Sequence, residues 1–268
     1  MELVHSGLPI DLDETTGELR FSDGLLCDGF SEKRLGKMMG LFASTEGCDP
    51  DTLVYRAYRN IRFESDEQLW VPRDMRYDIT VIQPGNANGE FFKTSGHYHG
   101  APELAYYPYP ELYEVVAGTV AFVLQRDEYY DTDMEGSVEN VRVVVAHAGE
   151  SVVIPPFCGH GSINVADEVS AFSNIAVVSC PVLYDAVRAR HGLAVRVMRG
   201  EDDIELEGNA EYELLDEPYL AKPLECPELG VAFGTPCYGS YVERPETYGW
   251  LQKCDSCVGK IENLTVRA

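Results

Sequence analysis

From about residue 76 to residue 182 the sequence predicts an all-β, antiparallel jelly-roll barrel, and three features of the pattern carry that prediction. Short runs rich in β-branched and aromatic residues follow one another at fairly regular spacing. Turn-forming residues close them, as Pro84-Gly85 closes Tyr77–Gln83 and Ala117-Gly118 closes Glu111–Val116. No amphipathic helical period intervenes between the runs, which disfavours alternating strands and helices.

Taken in order, residues 1–75 form an N-terminal arm, 76–188 the barrel, and 189–268 an acidic, cysteine-containing C-terminal extension. Within the arm, Ser31 to Phe42 reads as a short amphipathic helix opened by Ser31 as N-cap. Tyr55–Phe63 is compatible with either helix or strand. The arm is expected to pack against the core or a partner subunit. After the first two barrel strands come Thr119–Gln125, Val141–Ala146, Ser151–Ile154 and Ala171–Ser179. The extension opens with the acidic run 201–207 and then becomes rich in Pro, Tyr and Cys, with no phosphate loop or repeat.

Composition narrows the partners. With 45 acidic against 21 basic residues the net charge is −24, a field that repels nucleic-acid phosphates and anionic lipid headgroups. Neither nucleic acid nor membrane is an expected partner. An anionic substrate would need local donors or a metal to offset the same field. No run approaches the ~20 apolar residues of a membrane span, and Met1–Gly7 does not read as a leader peptide. The expectation is a cytoplasmic protein whose eight cysteines are reduced thiols. Cys254 and Cys257 form a Cys-x-x-Cys pair that could in principle join Cys226 and Cys237 in a zinc site, but the spacing matches no known module, and packing thiols are the expectation.

The chemistry concentrates in a few positions. In Gly96-His97-Tyr98-His99 two imidazoles stand at i and i+2, and on a strand such residues share a face. Glu111 and Tyr113 likewise share a face on the next strand, which Gly118 closes. Gly149, Pro155, His160 and Asn164 follow. This order resembles the two cupin motifs, and the resemblance implies a double-stranded β-helix in which His97, His99, Glu111 and His160 hold one divalent metal ion per chain. Three imidazoles and a carboxylate suit iron(II), placed first, or manganese, nickel or zinc. Two departures stand out: Phe157 occupies a position where the motif usually has Gly, and eleven residues separate His99 from Glu111, so that 100–110 reads as an insertion at the pocket rim. His5, His147 and His191 are expected to be ordinary packed or surface residues.

A narrower resemblance is carried by Asp78-Ile79-Thr80-Val81, by 92–99 (FKTSGHYH), by 110–118 (PELYEVVAG) and by 154–160 (IPPFCGH). These words resemble the cupin-type, or archaeal-type, glucose-6-phosphate isomerases. The resemblance implies a homodimer that interconverts glucose 6-phosphate and fructose 6-phosphate. It places Glu111 and Tyr113 in catalysis, puts Thr80, Thr94 and Gly96 on the phosphate, and makes Tyr184 a pocket residue. Lys93 is the nearest candidate for a positive charge. One stretch departs: where the family usually reads YPADAGHDY, this chain has AVVSCPVLY at 176–184, and only Tyr184 survives. An isomerase for another phosphorylated sugar, an iron(II) oxygenase of the same fold and a non-catalytic sugar-binding cupin are the alternatives.

Overall fold

A computed structural model describes residues 1–132, 136–201 and 203–268. The chain begins with β1 (Ile10–Leu12), β2 (Leu19–Phe21), β3 (Leu25–Arg34) and β4 (Leu53–Phe63), then helix α1 (Glu67–Trp70) and β5 (Met75–Ile82). Four short or central strands follow: β6 (Asn86–Ala87), β7 (Glu90–Phe91), β8 (Tyr98–His99) and β9 (Glu111–Ala117). Next come β10 (Thr119–Arg126), β11 (Ser137–His147), β12 (Ser151–Ile154), β13 (Cys158–Asn164), β14 (Ser170–Val177) and β15 (Val182–Leu183). The extension holds α2 (Asp185–Ala189), β16 (Val195–Arg199), β17 (Ile204–Gly208), β18 (Glu213–Leu214), β19 (Tyr219–Pro223), α3 (Cys237–Glu243), α4 (Val258–Ile261) and β20 (Thr265–Arg267).

Two sheets make the barrel. One runs β12-β9-β14-β5-β4-β3, all antiparallel, and the other runs β13-β10-β11-β19-β20 with β18 beside β11. Their facing sides enclose one apolar cluster that includes Val115, Val120, Phe122, Leu124, Val144, Ile154 and Phe172. The outer side of the first sheet is covered as well: Tyr77, Ile79 and Val81 pack with Leu3, Leu8, Trp70, Tyr238, Tyr241 and Tyr248. The Trp70 and Tyr241 rings stack at 3.9 Å, joining the arm to the extension. Leu193, Val195 and Val197 cover the other sheet through Ala121, Val123 and Val143. Because both faces of the central strands are buried, they read as nearly continuous apolar runs instead of alternating ones.

The helix expected over Ser31–Phe42 does not form. Ser31 lies within β3 opposite Ala57, and the chain beyond Arg34 makes two 3-10 turns, Leu35–Lys37 and Met39–Leu41. Pairing with β4 along its whole length outweighs local helix preference, which Gly36 and Gly40 already weaken. Tyr55–Phe63 resolves as strand, between β3 and β5.

On β9 the outward-facing Glu114 is fully buried and accepts the Cys237 backbone N–H at 3.1 Å, which ties α3 to the barrel. Burial raises its carboxyl pKa from 4.5 to about 7, against the opposing hydrogen bonds from Cys237 and Ser173. The folded chain therefore holds this proton more tightly than the unfolded chain does. The corresponding stability is fully present below about pH 4.5 and is lost as pH rises toward 7, by about 3 kcal/mol. Glu114→Gln, which keeps the acceptor and removes the charge, should match the parent in urea unfolding near pH 4.5 and exceed it at pH 8. An equal stability difference at both pH values would contradict this account.

Candidate metal centre

The Tyr98 side chain leaves the barrel interior, where its hydroxyl accepts a hydrogen bond from Gln125 and its ring stacks on Tyr130 at 4.5 Å. Alternation then turns His97 and His99, on either side of it, inward. Gly96 makes this approach possible: its φ is +73°, and a Cβ there would meet the Leu193 side chain at 3.2 Å and the His160 carbonyl at 3.4 Å. Reciprocal backbone bonds, His97 N–H to His160 O at 3.0 Å and His160 N–H to His97 O at 2.9 Å, set the two motifs side by side.

His97, His99, Glu111 and His160 each present one ligand atom, and the four atoms lie within 4.8 Å of one another. His97 Nε2 is 3.1 Å from His99 Nε2, and Glu111 Oε2 is 3.4 Å from His99 Nε2 and 3.7 Å from His160 Nε2. The far ring nitrogens are supported: His99 Nδ1 donates to the Tyr109 carbonyl (2.9 Å) and His160 Nδ1 to the Cys158 carbonyl (3.0 Å). That tautomer leaves each Nε2 lone pair facing the cluster. Asn174 Nδ2 donates to Glu111 Oε1 at 2.6 Å, so Oε2 is the oxygen turned to the histidines. Among the described residues, the buried Glu111 Oε2 and His160 Nε2 have no hydrogen-bond partner. Buried polar atoms left this way are costly, and a shared divalent cation satisfies both at once. The residues therefore fit a metal.

Electrostatics points the same way. Burial drives the His97 pKa well below its usual value, helped by His160 and His99. Burial also takes His99 down to about 4, although Glu111 opposes it. For Glu111 burial acts upward, but His160, His99 and Tyr113 together outweigh it and bring the carboxyl to about 2. Two imidazoles kept neutral beside an ionised carboxylate are in the protonation states that metal ligation requires.

One pocket contains this cluster together with Thr80, Thr94, Gly96, Tyr113 and Tyr184, and the Tyr184 ring lies 5.4 Å from that of His97. Tyr109 and Pro110, at the end of the segment 100–110, also line the pocket. Phe157 adopts φ +61°, the left-handed conformation for which glycine is better suited, and its ring is held against Tyr106 and Tyr107. Lys93 does not line this pocket; its ammonium pairs with the buried Glu90 and lies over the Phe42 ring. The positive charge comes instead from Arg59 and Arg76, which the sequence reading missed together with Tyr55 and Asn174. The one available signal was alternation: Tyr55, Ala57 and Arg59 fall on one face if that run is a strand. The tail cysteines do not gather: among the described residues the histidine-glutamate group is the only metal-type cluster, and all eight thiols are free.

A jelly-roll barrel with three inward histidines and one inward glutamate defines a cupin-type site whose residues could hold a metal ion. A family model described as "Glucose-6-phosphate isomerase (GPI)" matches residues 33–212. The chain belongs to the glucose-6-phosphate isomerase family. It is 28% identical over 191 residues to glucose-6-phosphate isomerase of Pyrococcus abyssi, covering 69% of this chain and 85% of that one. It is 26% identical over 216 residues to the Thermococcus onnurineus protein of the same name, covering 79% and 94%. Among solved structures it is similar to Bacillus subtilis oxalate decarboxylase at 16% identity and a TM-score of 0.31, over 46% of this chain and 25% of that one. The fold assignment rests on the strand topology, not on that likeness.

Two variants test the centre. His97→Ala should abolish stoichiometric metal, read by elemental analysis of the purified protein; undiminished content would remove His97 from the ligand set. Asn174→Ala frees Glu111 Oε1 and should weaken metal binding by about 10–100-fold in a chelator competition.

Proposed function

We propose that the chain is a metal-dependent aldose–ketose isomerase that interconverts glucose 6-phosphate and fructose 6-phosphate. The observation that carries this reading is the convergence of His97, His99, Glu111 and His160 in one pocket, whose walls also hold Thr80, Thr94 and Gly96, in a member of this family. When bound, a divalent cation supplies Lewis acidity, which lowers the cost of negative charge on the sugar's carbonyl and hydroxyl oxygens. Iron(II) is first among the candidates, with manganese, nickel or zinc as alternatives.

The chain's own groups do the remaining work. Glu111 stays ionised and is fixed through Oε1 by Asn174, so it can accept a proton from the carbon beside the carbonyl and return it to the neighbouring carbon. Tyr113, raised well above the usual tyrosine range by burial and then by Glu111, keeps its proton beside that carboxylate. Thr94 Oγ1 accepts the Ser162 N–H at 3.0 Å, which leaves its O–H as a donor for phosphate. Thr80, Gly96 and Tyr184 line the same pocket, the Tyr184 ring 5.4 Å from that of His97. The reading includes a homodimer acting in the cytoplasm on a phosphorylated sugar. Eight free thiols and, among the described residues, the lack of any helix long and apolar enough to cross a membrane are compatible with that location.

A coupled assay with fructose 6-phosphate on metal-reconstituted protein tests the proposal. Turnover is expected, and Glu111→Gln should lower kcat by at least about 100-fold. Oxygen uptake on iron loading, without turnover of any hexose phosphate, would replace the isomerase with an oxygenase.

A further inference from the structure

Strand register shows where in the pocket the guanidinium charge lies. Phe172 of β14 is paired with both Thr80 of β5 and Val115 of β9; Asn174 is paired with Asp78 and Tyr113; Ala176 is paired with Arg76. Arg76 thus stands two rows from Thr80, roughly 13 Å along the strand. Glu111, two residues from Tyr113 and bonded to Asn174, is at the Arg76 end. Arg59 lies just past the last β4–β5 pair, Tyr58 with Ile79, and turns to Asp78. Its Nη1 is 2.9 Å from Asp78 Oδ2, Arg76 Nε is 3.0 Å from the same oxygen, and the Asn60 N–H occupies Oδ1 at 2.8 Å.

Asp78 is fully buried, so its carboxylate cannot be rescued by solvent and is held by hydrogen bonds from Arg59 and the Asn60 N–H and by the Arg76 charge. Two guanidiniums on one carboxylate leave one positive charge in excess. Both arginines line the pocket, with side chains 41% and 30% exposed. Arg59 reaches Asp78, whose strand partner Asn174 is the residue bonded to Glu111, so its guanidinium lies toward the metal-ligand end of the pocket.

We propose that Arg59 is a specificity-determining residue for the carbonyl end of the substrate: its guanidinium, positioned by Asp78 against Arg76, receives the negative charge that builds on the oxygen at C1. This rests on the isomerase reading, in which the phosphate occupies the threonine wall and C1 and C2 reach the metal ligands. The consequence is a site that favours an open-chain hexose phosphate carrying an anion at C1 over one that is neutral there. A guanidinium suits the role because its planar donors match a two-oxygen anion, whereas a neutral amide offers neither the charge nor the fork.

Calorimetry with two probes tests this: gluconate 6-phosphate, a carboxylate at C1, and glucitol 6-phosphate, an alcohol there. Metal-loaded parent protein should prefer the acid. Arg59→Gln should weaken acid binding by about tenfold or more while moving alcohol binding by less than about threefold, and Arg59→Lys should recover part of the loss. In chelator-treated protein the parent should keep a residual acid preference and Arg59→Gln none, which separates the arginine from the metal. An unchanged preference in Arg59→Gln would overturn the proposal and leave the isomerase reading intact. So would an equal loss for both probes with an unaltered unfolding temperature. Parent protein that binds neither probe when metal-loaded would overturn the isomerase reading, and the proposal with it.

Discussion

The pair of backbone hydrogen bonds between His97 and His160 is the constraint on which the site depends. These residues are 63 positions apart in sequence, and closing such a loop costs entropy that no metal can recover in an unfolded chain. The closure is made by the barrel: β13 is held by β10 throughout, from Val120–Asn164 to Arg126–Cys158, and presents His160 to the segment that carries His97. Ligand placement is thus a by-product of sheet register. A slip of one residue in β13 would turn His160 away from the interior and leave three donors facing one another.

The same barrel concentrates charge in a place that opposes the molecule as a whole. A chain with net charge −24 has few means of admitting a dianion, yet the pocket gathers Arg59 and Arg76 with only Asp78 between them, while the surrounding acids lie elsewhere. The metal ligands add one carboxylate to imidazoles of which two are held neutral by burial. A divalent cation would leave the interior positive, so the local balance and the overall charge have opposite signs. Field focusing within a low-dielectric cleft makes the local balance the one a bound substrate experiences.

How far the sequence revealed all this follows from which interactions are local. The His-x-His pair, Glu111 with Tyr113, and the turn residues around them are read from spacing alone, because strand alternation acts over two residues. The eleven residues between His99 and Glu111 read as a rim insertion, and Tyr109 and Pro110 at its end line the pocket. What stayed hidden depends on long-range pairing. Ser31–Arg34 has helical composition but is committed to β4, and Arg59 enters the pocket only because β4 lies between β3 and β5. Lys93 follows the same logic: its neighbour Glu90, three residues back, captures the ammonium before the pocket can use it.

The rim insertion does more than shape an entrance. Its last turn supplies the Tyr109 carbonyl that fixes the His99 ring, so one stretch of backbone is at once a boundary of the cavity and a support for the ion's coordination. Pocket size and ion affinity are consequently tied together in this architecture. A descendant that lengthened or trimmed the loop to accommodate a bulkier sugar would also retune its hold on the cation, and would need a replacement acceptor for that imidazole before the new specificity became useful.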